Sequence, residues 1–118
     1  MRIQAVIFDW AGIVVDYGCR APAMVLSRVF ENRGVPLAPA EYRHAMGLLK
    51  VDQIRAILEL DRVKRAWTEA VGHEPDEIDV QRLFAEFVPL QMDCIEEYSD
   101  VIPRVPDLME KLCSHGIR

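Results

Sequence analysis

Residues 3–8 read Ile-Gln-Ala-Val-Ile-Phe, an apolar run rich in β-branched side chains. A short run of that kind predicts a strand buried on both faces, as in a parallel sheet. From residue 21 onward the apolar spacing changes to threes and fours. Pro22 sits where a helix can begin, and Val25, Leu26, Val29 and Phe30 form one stripe. Asn32-Arg33-Gly34 predicts the end of that helix, with glycine just past it. Residues 36–39 read as a connector and 41–45 as a short helical turn closing at Met46-Gly47. A firmer helix is expected over 49–60, with Val51, Ile54 and Leu58 on one face. Asp61 is placed to cap the next helix, which carries Val63, Trp67 and Ala70 inward and ends at Gly72. The longest pattern covers 79–98, with Leu83, Phe84, Phe87, Leu90 and Ile95 apolar and Pro89 expected to kink it. Residues 101–103 read as a linker. Pro106 then opens a helix with Leu108, Met109 and Leu112 inward, ended by His115-Gly116, and Ile117-Arg118 reads as the first step of another strand.

One buried-type strand cannot satisfy its own backbone groups. The expected architecture is therefore α/β, with the first strand of a sheet present and the core incomplete in this chain. Residues 1–20 would be that strand and the loop after it, 21–100 a helical insert, and 101–118 a return linker and helix. The bulk numbers fit a globular domain: 118 residues, 51% hydrophobic and 28% charged. A formal net charge of −5 and the lack of any Lys/Arg run exclude an electrostatic nucleic-acid binder. No apolar stretch reaches the ~20 residues that span a bilayer, and the first residues lack a secretory pattern, so no membrane role and a cytoplasmic location are expected. Cys19, Cys94 and Cys113 are odd in number and widely spaced. They are expected to be reduced and partly buried rather than bridged or zinc-bound.

Two residues carry candidate chemistry. Asp9 follows the apolar run directly, with Gly12 behind it to let the chain turn sharply. Ligands of open α/β sheets bind at the carboxyl ends of strands, so Asp9 is a candidate nucleophile or metal ligand. The plainer alternative is an Asp that caps the turn. Lys50 stands in Met46-Gly47-Leu48-Leu49-Lys50, flanked by apolar residues at a helix start. Such a lysine either snorkels to the surface or is desolvated enough to attack a carbonyl.

The segments Phe8-Asp9-Trp10-Ala11-Gly12, Val15-Asp16-Tyr17-Gly18-Cys19 and Met46-Gly47-Leu48-Leu49-Lys50 together resemble the phosphonoacetaldehyde hydrolases (phosphonatases) of the haloacid dehalogenase superfamily. The resemblance covers essentially the whole chain and matches the N-terminal portion of that family. It implies a Rossmann-like core with a mainly α-helical cap, and hydrolysis of phosphonoacetaldehyde to acetaldehyde and phosphate. Asp9 matches the nucleophile that becomes an aspartyl phosphate and also binds Mg²⁺. Ala11 matches the position whose backbone carbonyl reaches the same ion, a hard oxygen suited to magnesium. Lys50 matches the Schiff-base lysine, whose protonated imine accepts the electrons of the breaking carbon–phosphorus bond. Met46 and Cys19 match residues near the lysine. Family members are dimers, and cap helices commonly supply the contact, so a homodimer is implied for the full-length protein.

Ala11 also separates two chemistries. Relatives that cleave phosphate esters usually carry a second Asp two residues after the first, to protonate the departing oxygen. An enamine leaves without that proton. Two residues depart from the family pattern: Ile13 stands where Thr is usual, and Gln53 stands where His is usual. Glutamine hydrogen-bonds but does not titrate near neutral pH. The chain alone is expected to be inactive, because the remaining phosphate and Mg²⁺ ligands of the family lie further along the sequence. The other readings are a capped phosphatase of the same superfamily, and a catalytically dead remnant or helical interaction module.

Overall fold

The computed structural model of the protein describes residues 2–16 and 20–118. Cys19, one of the residues singled out above, lies outside them. The chain forms two compact units, Pro22–Cys94 on the one hand and Met1–Ala21 with Ile95–Arg118 on the other.

The larger unit is helical. Helices α1 (Arg20–Glu31), α2 (Pro39–Tyr42), α3 (Lys50–Leu58), α4 (Asp61–Val71) and α5 (Glu77–Cys94) follow one another through short connections. Val25, Leu26, Val29 and Phe30 of α1 share one core with Ile54, Ile57 and Leu58 of α3, Val63 and Trp67 of α4, and Val80, Leu83 and Phe87 of α5. The Phe30 and Trp67 rings meet edge to face, with centroids 6.2 Å apart at 70°, the arrangement their quadrupoles favour. Helix α3 packs on both α4 and α5. Gly34, at φ +76°, turns the chain after α1, a conformation that other residues enter only with strain.

Several ends differ from the expectation. Leu60, rather than Asp61, is the N-cap of α4, and Asp61 is its first helical residue. Ala70 is exposed rather than buried. Helix α5 stops at Cys94, four residues before the expected end, and Glu96–Tyr98 continues as a 3₁₀ turn. Its start is set by a reciprocal cap: Asp79 N–H donates to Asp76 Oδ1 at 2.9 Å, and Asp76 N–H donates to Asp79 Oδ2 at 3.1 Å. Two orphan donors at the helix start are satisfied at once.

In the other unit, β1 (Val15–Asp16) pairs antiparallel with β2 (Asp100–Val101), in the register Val15 opposite Val101. Residues 101–103, expected to be only a linker, thus begin in a strand. Helix α6 (Val105–Ser114) follows, with no fully buried residue and with Leu108 46% exposed, not inward as its spacing had implied. Cys113 is exposed as well, not partly buried, while Cys94 is half-buried as expected.

Residues 2–9 form no regular element, which corrects the strand expected over 3–8. One parallel-type link remains: Arg118 N–H donates to Gln4 O at 3.0 Å, and Val6 N–H donates to Arg118 O at 2.7 Å. Two bonds flanking one residue make no ladder. Among the described residues only Arg118 hydrogen-bonds to the main chain of this segment, and Ile7 is 97% exposed. The described chain is therefore mostly helix with one small two-stranded sheet. No described helix is long and apolar enough to cross a membrane.

Candidate functional site

Asp9 and Ala11 lie on a tight turn. The Trp10 carbonyl accepts from Ile13, Val14 and Val15 N–H at 3.3, 2.9 and 3.1 Å, and Gly12 N–H donates to Val15 O at 2.7 Å. Gly12 takes φ +80°, the left-handed conformation expected of a glycine at this bend. Asp9 is exposed, and its Oδ1 accepts from Trp10 N–H at 2.8 Å. The plainer turn-capping role is thus physically present. Ala11 is half-buried, and no described backbone N–H donates to its carbonyl oxygen. The turn therefore offers a carboxylate and a main-chain carbonyl two residues apart, both hard oxygens of the kind magnesium prefers. Ile13 is 49% exposed beside them.

Lys50 opens α3, following Leu49 as N-cap. Its amine is held on two sides. Nζ donates to Gln53 Oε1 at 2.6 Å, one helical turn on, and lies 5.3 Å from the centre of the Phe87 ring on α5. Burial pushes its pKa below the usual lysine range, since a charge loses hydration there. A helix N-terminus is also an unfavourable place for a cation. Lys50 as a residue is half-buried.

Gln53 is 1% exposed. Its Nε2 donates to the main-chain oxygens of Tyr42 and His44 at 3.0 and 3.2 Å. Both carbonyls belong to the segment leading to Met46, where Ala45 and Gly47 adopt φ +55° and +99°. Met46 itself is 55% exposed, with no ring or hydrogen-bond contact to the lysine. The structure thus brings Lys50, Gln53 and Phe87 together in one unit and Asp9 with Ala11 in the other. The sequence marks Phe87 only as a core residue, because its i+4 spacing from Leu83 explains it completely. The Tyr42 and His44 carbonyls have no side-chain signature at all.

His73, Asp76 and Asp79 place three possible ligand atoms within 4.8 Å of one another. One oxygen of each carboxylate is engaged at the start of α5, and His73 Nδ1 sits 3.6 Å from Asp79 Oδ2. Helix capping accounts for the cluster.

No protein-family model matches the chain. A bifunctional phosphonoacetaldehyde hydrolase/aminoethylphosphonate transaminase of Clostridioides difficile is 45% identical over 117 residues, which is 99% of this chain and 18% of that protein. A phosphonoacetaldehyde hydrolase of Bacillus cytotoxicus is 43% identical over all 118 residues, and one of Bacillus cereus is 40% identical, each match covering 45% of the relative. Among solved structures, a phosphonoacetaldehyde hydrolase-like protein from Oleispira antarctica superimposes with a TM-score of 0.87 at 34% identity, over 98% of this chain and 42% of that one. The chain spans less than half the length of these relatives, and over its whole length it is similar to proteins named phosphonoacetaldehyde hydrolase.

Proposed function

We propose that this chain is the nucleophile-and-lysine portion of a phosphonoacetaldehyde hydrolase of the haloacid dehalogenase type. In this reading Met1–Ala21 with Ile95–Arg118 belongs to the Rossmann-like core and Pro22–Cys94 is the helical cap. The observation that carries it is the Lys50 amine, half-buried, pushed toward its neutral form and held by Gln53 and Phe87. An ordinary surface lysine, with a pKa near 10.4, is neutral in only about one molecule in a few thousand at pH 7. Desolvation raises that fraction and supplies a nucleophile.

The neutral amine adds to the aldehyde, and the carbinolamine takes up one proton and loses water, leaving a protonated imine on Lys50. Asp9 then attacks phosphorus, and the carbon–phosphorus electron pair flows into the imine, so the two-carbon fragment departs as an enamine. Water releases phosphate from Asp9 and acetaldehyde from Lys50. The Asp9 carboxylate and Ala11 carbonyl would hold a divalent cation, magnesium in this reading, which offsets negative charge on the phosphonate. Magnesium takes six oxygens, so these two supply only part of its shell. Phosphonoacetaldehyde is the proposed substrate, a second copy the proposed partner and the cytoplasm the proposed location. Alanine at position 11 favours this reading over a phosphate-ester hydrolase, which would need an acid there.

The test is borohydride reduction in the presence of phosphonoacetaldehyde, followed by peptide mapping. The adduct is expected on Lys50, not on Lys64 or Lys111, and Lys50→Arg, which keeps the charge but forms no imine, should abolish it. Label spread evenly over the three lysines would refute the proposal. The chain by itself should release no phosphate, since two metal oxygens and one nucleophile leave the transferring phosphoryl group without most of its contacts.

A further inference from the structure

The Gln53 amide has one workable orientation. Its NH₂ group faces two carbonyl oxygens, of Tyr42 and His44, and its oxygen faces an ammonium. Turning the amide over would set oxygen against two oxygens and NH₂ against a cation, losing three hydrogen bonds at a site 1% exposed. The main chain of the Tyr42–His44 segment therefore dictates where Oε1 points.

We propose that Gln53 is a positioning residue for Lys50: clamped by two main-chain carbonyls, it holds the amine over the Phe87 ring and turns its lone pair away from Gln53. The proposal rests on the Schiff-base reading of Lys50. When the amine is neutral, one N–H still donates to Oε1, so the lone pair is directed away from Gln53. Condensation is balanced as ammonium plus aldehyde giving protonated imine plus water: nitrogen gives up two hydrogens and the carbonyl gives up its oxygen. The imine keeps one N–H, and Oε1 accepts it as it accepted the ammonium. Gln53 thus stays bonded before and after the step, without moving a proton. An amide oxygen is no base near neutral pH, so the proton leaving the ammonium goes to solvent or to the substrate's phosphonate. No group titrating like a histidine is required at this position.

The experiment is an NMR titration of the intact chain from about pH 6 to pH 11, spanning the lysine range. It follows the Lys50 ε-methylene and the Gln53 Cδ. In the wild-type chain the Gln53 Cδ signal should titrate with the Lys50 midpoint, because its oxygen loses a charged donor there. Gln53→Glu, with its fold checked by the amide fingerprint, adds an opposite charge beside the amine and should raise the Lys50 midpoint by about one to three pH units. A Gln53 Cδ signal that stays flat through the Lys50 titration would overturn the proposal, whether or not the variant folds. So would an unshifted Lys50 midpoint in a folded Gln53→Glu chain. Reductive labelling with acetaldehyde and cyanoborohydride separates the two levels. Even label on all three lysines alongside a linked titration overturns the Schiff-base reading, whereas Lys50-selective label with a flat Gln53 signal overturns the positioning role alone.

Discussion

Phe87 serves the core and the lysine at once, and a double-mutant cycle with Lys50 separates the two roles. The ring is 5% exposed, so Phe87→Leu should lose about 1–2 kcal/mol of packing. Lys50→Met keeps the straight apolar stem and removes the charge. Nζ lies 5.3 Å from the ring centre, inside the ~6 Å range of a cation–π contact. Such contacts contribute ~0.5 kcal/mol when exposed and ~2 when desolvated, and a half-buried amine should therefore couple by about 1 kcal/mol. Urea unfolding of the four chains, followed by fluorescence of the buried Trp67, gives this coupling as the difference of differences, with the Gln53 bond cancelling. The pH dependence adds a check. Burial lowers the Lys50 pKa in the folded chain, so the charge and the coupling should vanish as pH rises through that lowered value. Between the folded pKa and about 10.4 the unfolded chain binds more protons, and wild-type stability should rise with pH in a way Lys50→Met does not share. Coupling below ~0.3 kcal/mol at neutral pH, the ordinary error of additivity, would refute the contact.

Three further outcomes follow from the helical unit and its edges. Leu83 is fully buried, so Leu83→Ala should lower stability by about 2–4 kcal/mol, whereas Leu108→Ala, at a 46% exposed site, should change it far less; urea midpoints compare them. Asp76→Ala removes the oxygen that accepts Asp79 N–H and should cost about 1 kcal/mol in thermal unfolding, while Asp76→Asn, which keeps an acceptor, should cost less. Glu41 accepts from Arg62 and from Ala38 N–H, and the Arg62 bond is the main cause of its lowered pKa. Its contribution is present above the unfolded carboxylate value and is lost as pH falls through the folded one. Glu41→Gln should therefore flatten the acid side of the stability profile below about pH 4.

What could be read ahead of the fold divides along physical lines. The faces of α1, α3, α4 and α5 were legible because helical spacing and burial are local consequences of the same side chains, as Val25, Val29, Ile54, Trp67 and Leu83 show. The strand at 3–8 was not, because a strand exists only with its neighbours, and Arg118 alone meets that segment among the described residues. A two-residue ladder such as β1 with β2 is too short to display alternation. Asp61 opens α4 and Asp76 stands just ahead of α5, yet only Asp76 has an Asp three residues later to return the bond. That spacing was a usable signal. The family motifs marked Asp9, Ala11 and Lys50, but nothing in them could reveal how the lysine is held. Position 53 read as the loss of a titrating group, because side-chain identity says nothing of which carbonyls approach it. With Tyr42 and His44 oxygens on one side and an ammonium on the other, the same amide becomes a fixed acceptor. A glutamine satisfies all three partners at once without changing its protonation. An imidazole, with two ring nitrogens, could not bond all three of them one-to-one.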